Sequence, residues 1–500
     1  MLQHPKRLKG MQDLDPDASA VADSVGGALR AFLARYGYQR IDLPTLEQTD
    51  LLLRKSGGEL ASQMYTFTDP GGRRVSLRPE FTSSVVRAYL EGLNAGPLPL
   101  RCCYVGPVFR YHGEDAADPR QFTQAGAELI GADGPWIDAE VMALAVNGLG
   151  HLGLPGCRLV VGHLGFIGAL LEGLGLSDRA RMFLMSSLWQ LGGGDDGLTD
   201  VKRRATDLGL LRQGNGDDDG LAGDVPPDVA SALLERYFQA ASTATIGVRT
   251  PQEVRERFLR KRALAQDSGR FEDALALLAK IAQVRGDPAS GLRQVRAMVE
   301  DATPLAADLF EVREQSLRHM GPATVTAMAE LDRLEETLGA LAHYGVKGQT
   351  SLDLGLGRGI AYYTGVVFEV RSPSGDGVSL GGGGRYDGLV QALGGPAPTP
   401  AMGFAWTLER VVDLLARAGK ERRWKRREDM VLVRAGSPSA LAMALREADV
   451  LRDQGISVVF DPAGGADKEA LAYAQARGIR RISTVDDSGK VAYKDVPERQ

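Results

Sequence analysis

Cysteine is scarce in this chain: Cys102, Cys103 and Cys157 are the only three among 500 residues. Three thiols, two of them adjacent, cannot build a disulfide framework, and without a CxxC spacing they make no zinc site. They fit a buried strand in a reducing compartment, where free cysteine behaves as a small core residue, and a cytoplasmic protein is expected. There is no run of ~18 or more uncharged apolar residues, so no membrane span is expected. The segment Met1–Arg7 lacks the apolar stretch of a secretory signal. Positive charge is not in excess either: the formal net charge is −5, which speaks against a globally basic nucleic-acid binder, and no DNA partner is expected.

What is present is ordinary globular composition, 44% hydrophobic and 25% charged, in a chain long enough for two to four domains, each with its own core. The pattern divides into five stretches. Residues 1–170 alternate helix and strand signals: a helix over 16–36 ending at Gly37, a short strand at Arg40–Pro44, a hairpin around Asp69–Gly72, a helix at Ser83–Leu93, paired strands at Arg101–Phe109 and Phe122–Ile130, a helix at Asp138–Leu149 and a strand at Cys157–Val161. Residues 171–335 are mostly helical, including Val254–Leu264 and Phe271–Val284, with Gly/Asp-rich loops at Gly192–Asp196 and Gly214–Gly220. Strands return in 336–416, at Ser351–Leu354, Val366–Arg371, Val378–Leu380 and Met402–Trp406, followed by a helix at Thr407–Ala416. Residues 417–429 form a basic linker with seven Lys or Arg. Residues 430–500 alternate strand and helix, as a small α/β domain does.

One stretch carries chemistry. Arg110 and Arg120 frame a loop holding Glu114, Asp115 and Asp118 and no Lys or Arg between them. A loop that holds a triphosphate needs donors and positive charge, and this one repels it. His112 stands alone, with no second histidine close in sequence, and reads as solvated; His163 reads as structural.

Several segments, in order, resemble histidyl-tRNA synthetases and their relatives in the class II superfamily. Arg7-Leu8-Lys9-Gly10-Met11-Gln12-Asp13 resembles the family's opening segment, and Gly37 through Glu47 its motif 1. Leu77-Arg78-Pro79-Glu80-Phe81-Thr82 resembles a substrate-pocket segment. Phe109-Arg110 through Gln124-Ala125-Gly126-Ala127-Glu128 resembles motif 2. Arg358 through Gly365 resembles the segment peculiar to the histidine branch, and Gly383–Leu389 with Gly403–Arg410 the last core strands and motif 3. The resemblance implies an α+β fold: a class II six-stranded antiparallel sheet core, a helical insertion, a shortened anticodon-binding-like α/β domain at 430–500, and a homodimer. It implies that Glu80, Thr82 and Glu128 receive the ammonium of L-histidine, that Tyr362 and Tyr363 face its imidazole, and that Gln124 and Arg358 meet its carboxylate, Arg358 being catalytic if the chain is active. Arg110, Arg120 and Arg410 are the residues for ATP, with Mg2+, if the nucleotide site is retained; no cofactor is otherwise expected. Arg110 and Arg410 fit ion pairs kept by an ancestral fold equally well.

The chain departs from the family in places. Ala361 stands where an acid is usual, and Phe81 replaces a glycine, which narrows the site or presses on the adenine side. His112 replaces a glutamate and Asp118 an arginine. An anion in place of a cation ~4 Å from a phosphate costs a few kcal/mol even at an effective dielectric near 20. Residues 431–500 hold ten basic and ten acidic side chains, a weak phosphate-tracking surface that makes tRNA a doubtful partner. The basic linker, with Trp424, could touch RNA but reads better as a solvated connector. The expectation is therefore a histidine-binding paralogue acting as the regulatory subunit of ATP phosphoribosyltransferase, partnered with its catalytic subunit. A divergent histidine–tRNA ligase comes next, and then a histidine-activating or binding protein with another acceptor.

Overall fold

The computed structural model describes residues 6–54, 57–93, 96–112, 119–211, 269–308, 317–346, 348–357, 362–420, 424, 430–461 and 466–497. The chain divides into two compact units, one of Met1–Asp15 and Val25–Lys420, the other of Pro16–Ser24 and Glu421–Gln500.

In the larger unit the strands, in chain order, are β1 (Gln39–Arg40), β2 (Leu46–Gln48), β3 (Thr66–Thr68), β4 (Arg74–Leu77), β5 (Leu100–Phe109), β6 (Gln121–Ile130), β7 (Arg158–His163), β8 (Arg285–Gly286), β9 (Thr350–Asp353), β10 (Val366–Arg371), β11 (Ser379–Arg385) and β12 (Ala401–Thr407). One sheet has the order β1-β5-β6-β12-β11-β10-β7-β9-β8, and β2-β4-β3 form a small separate sheet. The six strands at the centre, β5-β6-β12-β11-β10-β7, are antiparallel throughout. The full sheet is wider than six and mixed at its edges. The two-residue β1 adds parallel to β5, and β9 adds parallel to β7 with β8 beyond it. An open edge offers unpaired backbone groups, and short segments from the N-terminal region and from the helical insertion cover it.

Successive residues of a strand face opposite ways. Cys102 and Cys103 are both buried free thiols, so β5 is covered on both faces, which explains its nearly unbroken apolar sequence. A second feature was not legible. A strand ending at Leu380 is what the sequence suggests, yet β11 runs on through Gly381–Gly384 to Arg385. Glycine is a poor strand former, but nothing larger fits here: a Cβ on Gly383 would lie 1.9 Å from the Gly403 carbonyl oxygen.

Among the described residues the insertion is mostly helical, with helices Asp178–Leu191, Asp195–Asp207, 269–281, Pro288–Asp308 and Leu317–Leu341. The first shows why. Ser177 caps it by accepting from the Ala180 N–H, and Ala180, Phe183, Leu184, Leu188 and Leu191 recur at three- and four-residue steps as one buried stripe. Leu317–Leu341 packs on the core helices Pro135–His151 and Leu164–Gly173. The expected helix Val254–Leu264 and the loop Gly214–Gly220 lie outside the described residues.

The smaller unit contains β13 (Met430–Ala435), β14 (Ser457–Asp461), β15 (Arg481–Val485) and β16 (Val491–Asp495) in the order β14-β13-β15-β16, with helices Leu441–Asp453 and Asp467–Ala476. Alternation along β13 sends Val431 and Val433 into one apolar cluster with Ala444 and Ala448, and Leu432 into another with Ala470 and Ala474. No described helix is long and apolar enough to cross a membrane.

Candidate functional site

The cross-strand register assembles the site. Tyr104, Gly126, Ala405, Gly382 and Glu369 form one row across β5, β6, β12, β11 and β10. A parallel row runs Cys102, Glu128, Gly403, Gly384, Val367, and a third joins Gly106, Gln124 and Thr407. Directly opposed residues share a face, so Gln124 and Glu128 stand on the same face as Glu369 and Thr407. Five of these positions are glycine, and a cavity of about 270 Å³ lies over the sheet, with Gly382 and Gly403 among its lining. Glu80, Thr82, Tyr104, Arg110, His112, Phe122, Gln124, Tyr362, Tyr363, Glu369, Thr407 and Arg410 all contribute to its wall.

Glu128 does not line that cavity. It lies beneath the floor, fully buried, and receives three hydroxyls: Thr82 Oγ1 at 2.8 Å and Tyr104 Oη at 2.9 Å donate to Oε1, and Tyr386 Oη donates to Oε2. A Cβ on Gly403 would meet Oε2 at 1.6 Å, so the glycine is what lets the carboxylate lie there. Burial pushes Glu128 up to about 7, against the pull of its three hydroxyl donors. It thereby ties Thr82, Tyr104 and Tyr386 together at one carboxylate. Glu80 is at the wall, caps the helix Thr82–Leu90 by accepting from the Ser83 N–H at 3.1 Å, and is raised by burial.

Phe81, expected to narrow the site or press on an adenine side, is not among the residues that line the cavity. It stacks on Tyr104 with centroids 4.1 Å apart and planes 6° from parallel, under the Arg78 guanidinium at 3.8 Å. Gly106 makes the room: a Cβ there would lie 2.9 Å from the Phe81 ring. The substitution of a family glycine by Phe81 is thus absorbed in the core.

At the wall, Gln124 Oε1 is buried and accepts no hydrogen bond among the described residues. Tyr362 is buried and meets Tyr363 and Tyr386 edge-on, with centroids 5.0 and 5.8 Å apart. Burial holds its phenol neutral. Tyr363 lies across Gly384, where a Cβ would come within 2.8 Å of its ring. Arg110 donates to the Pro79 carbonyl at 3.0 Å and lies 5.3 Å over the Phe122 ring; Arg410 donates to the Ser379 carbonyl at 2.9 Å. Both line the cavity.

Arg120 does not join them. Its guanidinium stacks 4.6 Å over Tyr111 and its stem packs on Gly10, away from the cavity wall. The acids Glu114, Asp115 and Asp118, and Arg358 with Ala361, lie outside the described residues. Sequence reasoning missed Glu369. The signal was there: Glu369 and Arg371 are charged residues two apart in an otherwise buried central strand, and they pair at 3.1 Å. Such a strand tolerates charge only where a partner or a cavity meets it. His112 lines the cavity, whereas His163 is structural: its Nδ1 accepts from the Phe166 N–H at 3.0 Å, and burial lowers it to about 3. No group of three or more His, Cys, Asp or Glu placed to hold a metal ion occurs among the described residues.

Comparison with known proteins gives one consistent result. The family model for histidyl-tRNA synthetase matches residues 10–222 and 315–411. Histidine–tRNA ligase from Thermococcus kodakarensis is 29% identical over 98% of this chain and 94% of its own length. That of Methanocaldococcus jannaschii is 30% identical over 99% of this chain and 95% of its own. A solved structure from Bacillus halodurans, described as an ATP phosphoribosyltransferase regulatory subunit/histidyl-tRNA synthetase, superposes with a TM-score of 0.62 at 21% identity, covering 97% of this chain and 99% of that one; at that identity it speaks to the fold.

Proposed function

The chain belongs to the histidyl-tRNA synthetase family, and from that membership we propose that its cavity binds L-histidine beside ATP and joins them as histidyl-adenylate, the first half of histidine–tRNA ligation. The observation that carries this is the composition of a single cavity: Glu80, Thr82, Gln124 and Tyr363 share it with Arg110, Phe122 and Arg410. Glu80 and the unmet Gln124 Oε1 suit an ammonium, which needs acceptors. The tyrosine pair suits a flat imidazole. Phe122 suits an adenine face, and the two arginines suit phosphate oxygens.

In the reaction, a carboxylate oxygen of histidine forms a bond to the α-phosphorus of ATP. The bond from that phosphorus to the bridging oxygen breaks, and pyrophosphate leaves with the electron pair. The barrier is lowered by positioning and by neutralising charge on the phosphoryl oxygens, the work assigned to Arg110 and, from the resemblance, to Arg358. Mg2+ would be held mainly by phosphate oxygens with one or two carboxylates, and Glu369, which also pairs with Arg371, is a carboxylate at the wall. The acceptor in this reading is tRNA, as in the full-length relatives, and the working form a homodimer.

A second reading has its own observation in favour. Acids stand at 114, 115 and 118, where a triphosphate calls for cations, and Arg120 stacks on Tyr111. In that reading histidine binds without activation, and the chain regulates an ATP phosphoribosyltransferase catalytic subunit. Histidine-dependent exchange between ATP and labelled pyrophosphate separates the two. Robust exchange supports adenylate formation; histidine binding without exchange, together with co-purification of a phosphoribosyltransferase, supports the regulator.

A further inference from the structure

We infer that Arg333, a residue of the helical insertion, is a positioning residue for the tyrosine wall of the cavity, acting through a chain of charges whose middle pair, Asp138 and Arg385, is buried; its consequence for histidine rests on the function proposed above. The chain begins on the helix Leu317–Leu341. Arg333 pairs with Asp133 and reaches Asp138 Oδ2 at 3.3 Å. Asp138, on the core helix Pro135–His151, gives its other oxygen to Arg385, whose Nε donates to Oδ1 at 2.9 Å. Arg385 Nη1 then donates to Asp387 Oδ1 at 2.9 Å.

From there the contacts enter the wall. The Asp387 N–H donates to Thr364 Oγ1 at 3.0 Å, and the Thr364 N–H donates to the Arg385 carbonyl at 2.8 Å. Thr364 directly follows Tyr362 and Tyr363. Between Arg385 and Asp387 sits Tyr386, which donates to Glu128 and meets the Tyr362 ring. Glycines tighten both joints: a Cβ on Gly365 would lie 3.1 Å from the Arg385 stem, and one on Gly384 2.8 Å from the Tyr363 ring. Gly165 sits between the two segments, since a Cβ there would lie 2.7 Å from the Thr364 carbonyl and 3.2 Å from the carboxylate of Glu330, on the same helix as Arg333.

The energetics favour transmission over mere stapling. Asp138 and Arg385 are both nearly inaccessible, 1% and 2% exposed. A buried carboxylate that loses one of its cations must move toward the other or take up a proton. Without Arg333, Asp138 is left to Arg385 alone, and any shift of that guanidinium is felt at Asp387 and Thr364. Arg333 itself is partly exposed, so its replacement does not bury an empty site. Arg296 provides a matched control: it pairs with Asp332 at 2.7 Å and Glu335 at 2.9 Å on the same helix, but those partners do not lead to the wall.

The test is amide hydrogen exchange over residues 362–371 in the ligand-free full chain, with calorimetric titration of L-histidine on the same samples. Arg333→Gln is expected to speed exchange at Thr364 roughly tenfold, the scale of one charge-assisted hydrogen bond lost, and to weaken histidine by a similar factor. Arg333→Lys keeps the charge and restores most of both, and Arg296→Gln changes neither. Wild-type exchange at Thr364 in Arg333→Gln, or equal acceleration in Arg296→Gln, overturns the inference. If the wild-type chain binds no histidine, the proposed function fails while the exchange measurement still decides the positioning role.

Discussion

Glu128 is a buried carboxylate held by the hydroxyls of Thr82, Tyr104 and Tyr386. Its folded pKa of about 7 lies above the usual 4.5 because burial disfavours the anion. Between those two values the folded chain holds a proton that the unfolded chain has released. The resulting stability is fully present below the unfolded value and is lost as pH rises through about 7. The effect has an upper bound of roughly 3 kcal/mol. Glu128→Gln removes the titration, so its urea midpoint should fall less than that of the wild type between about pH 5 and pH 8; parallel pH profiles for the two would contradict this. Arg410→Ala and Arg110→Ala should both leave histidine affinity near the wild-type value. Both should slow pyrophosphate exchange, Arg110→Ala by roughly a hundredfold or more, the usual scale for removing one preorganised donor to developing charge.

The elements that sequence could specify were those with a clear period or boundary. The paired strands β5 and β6 and the strand β10 are apolar runs with plain ends, and Ser177 with its buried stripe marks a helix. The glycine strand β11 carries no such signal, because its residues are set by what β10, β12 and Tyr363 leave no room for. The same holds for Phe81, whose effect depends on Gly106, a residue 25 positions away in sequence that stands on the neighbouring strand β5. Motif order placed Gln124, Glu80 and Tyr363 at one site, but the depth of Glu128 and the turn of Arg120 onto Tyr111 needed the register and packing. Gly403→Ala tests this element-level account. Its Cβ must displace the Glu128 carboxylate, so a loss of about 1–3 kcal/mol in unfolding free energy is expected from overpacking, with weaker histidine binding. A variant as stable as the wild type and binding equally well would show that the floor can yield.

At the scale of the molecule, a wide mixed sheet carries the cavity, a helical insertion is tied to the core through Asp138 and Arg385, and a separate small α/β unit has balanced charge. The relatives match across nearly the full length, including that small unit. A dimer is proposed, and sedimentation equilibrium should then give about twice the 53.5 kDa chain mass; a concentration-independent monomer would argue against it. The central claim is narrower: one cavity whose acceptors receive the ammonium of histidine. Calorimetric titration of the wild-type chain and Glu80→Gln with L-histidine tests it most directly. The account predicts one histidine bound per wild-type chain and markedly weaker binding in Glu80→Gln; no binding by the wild type, or undiminished binding by the variant, would contradict it.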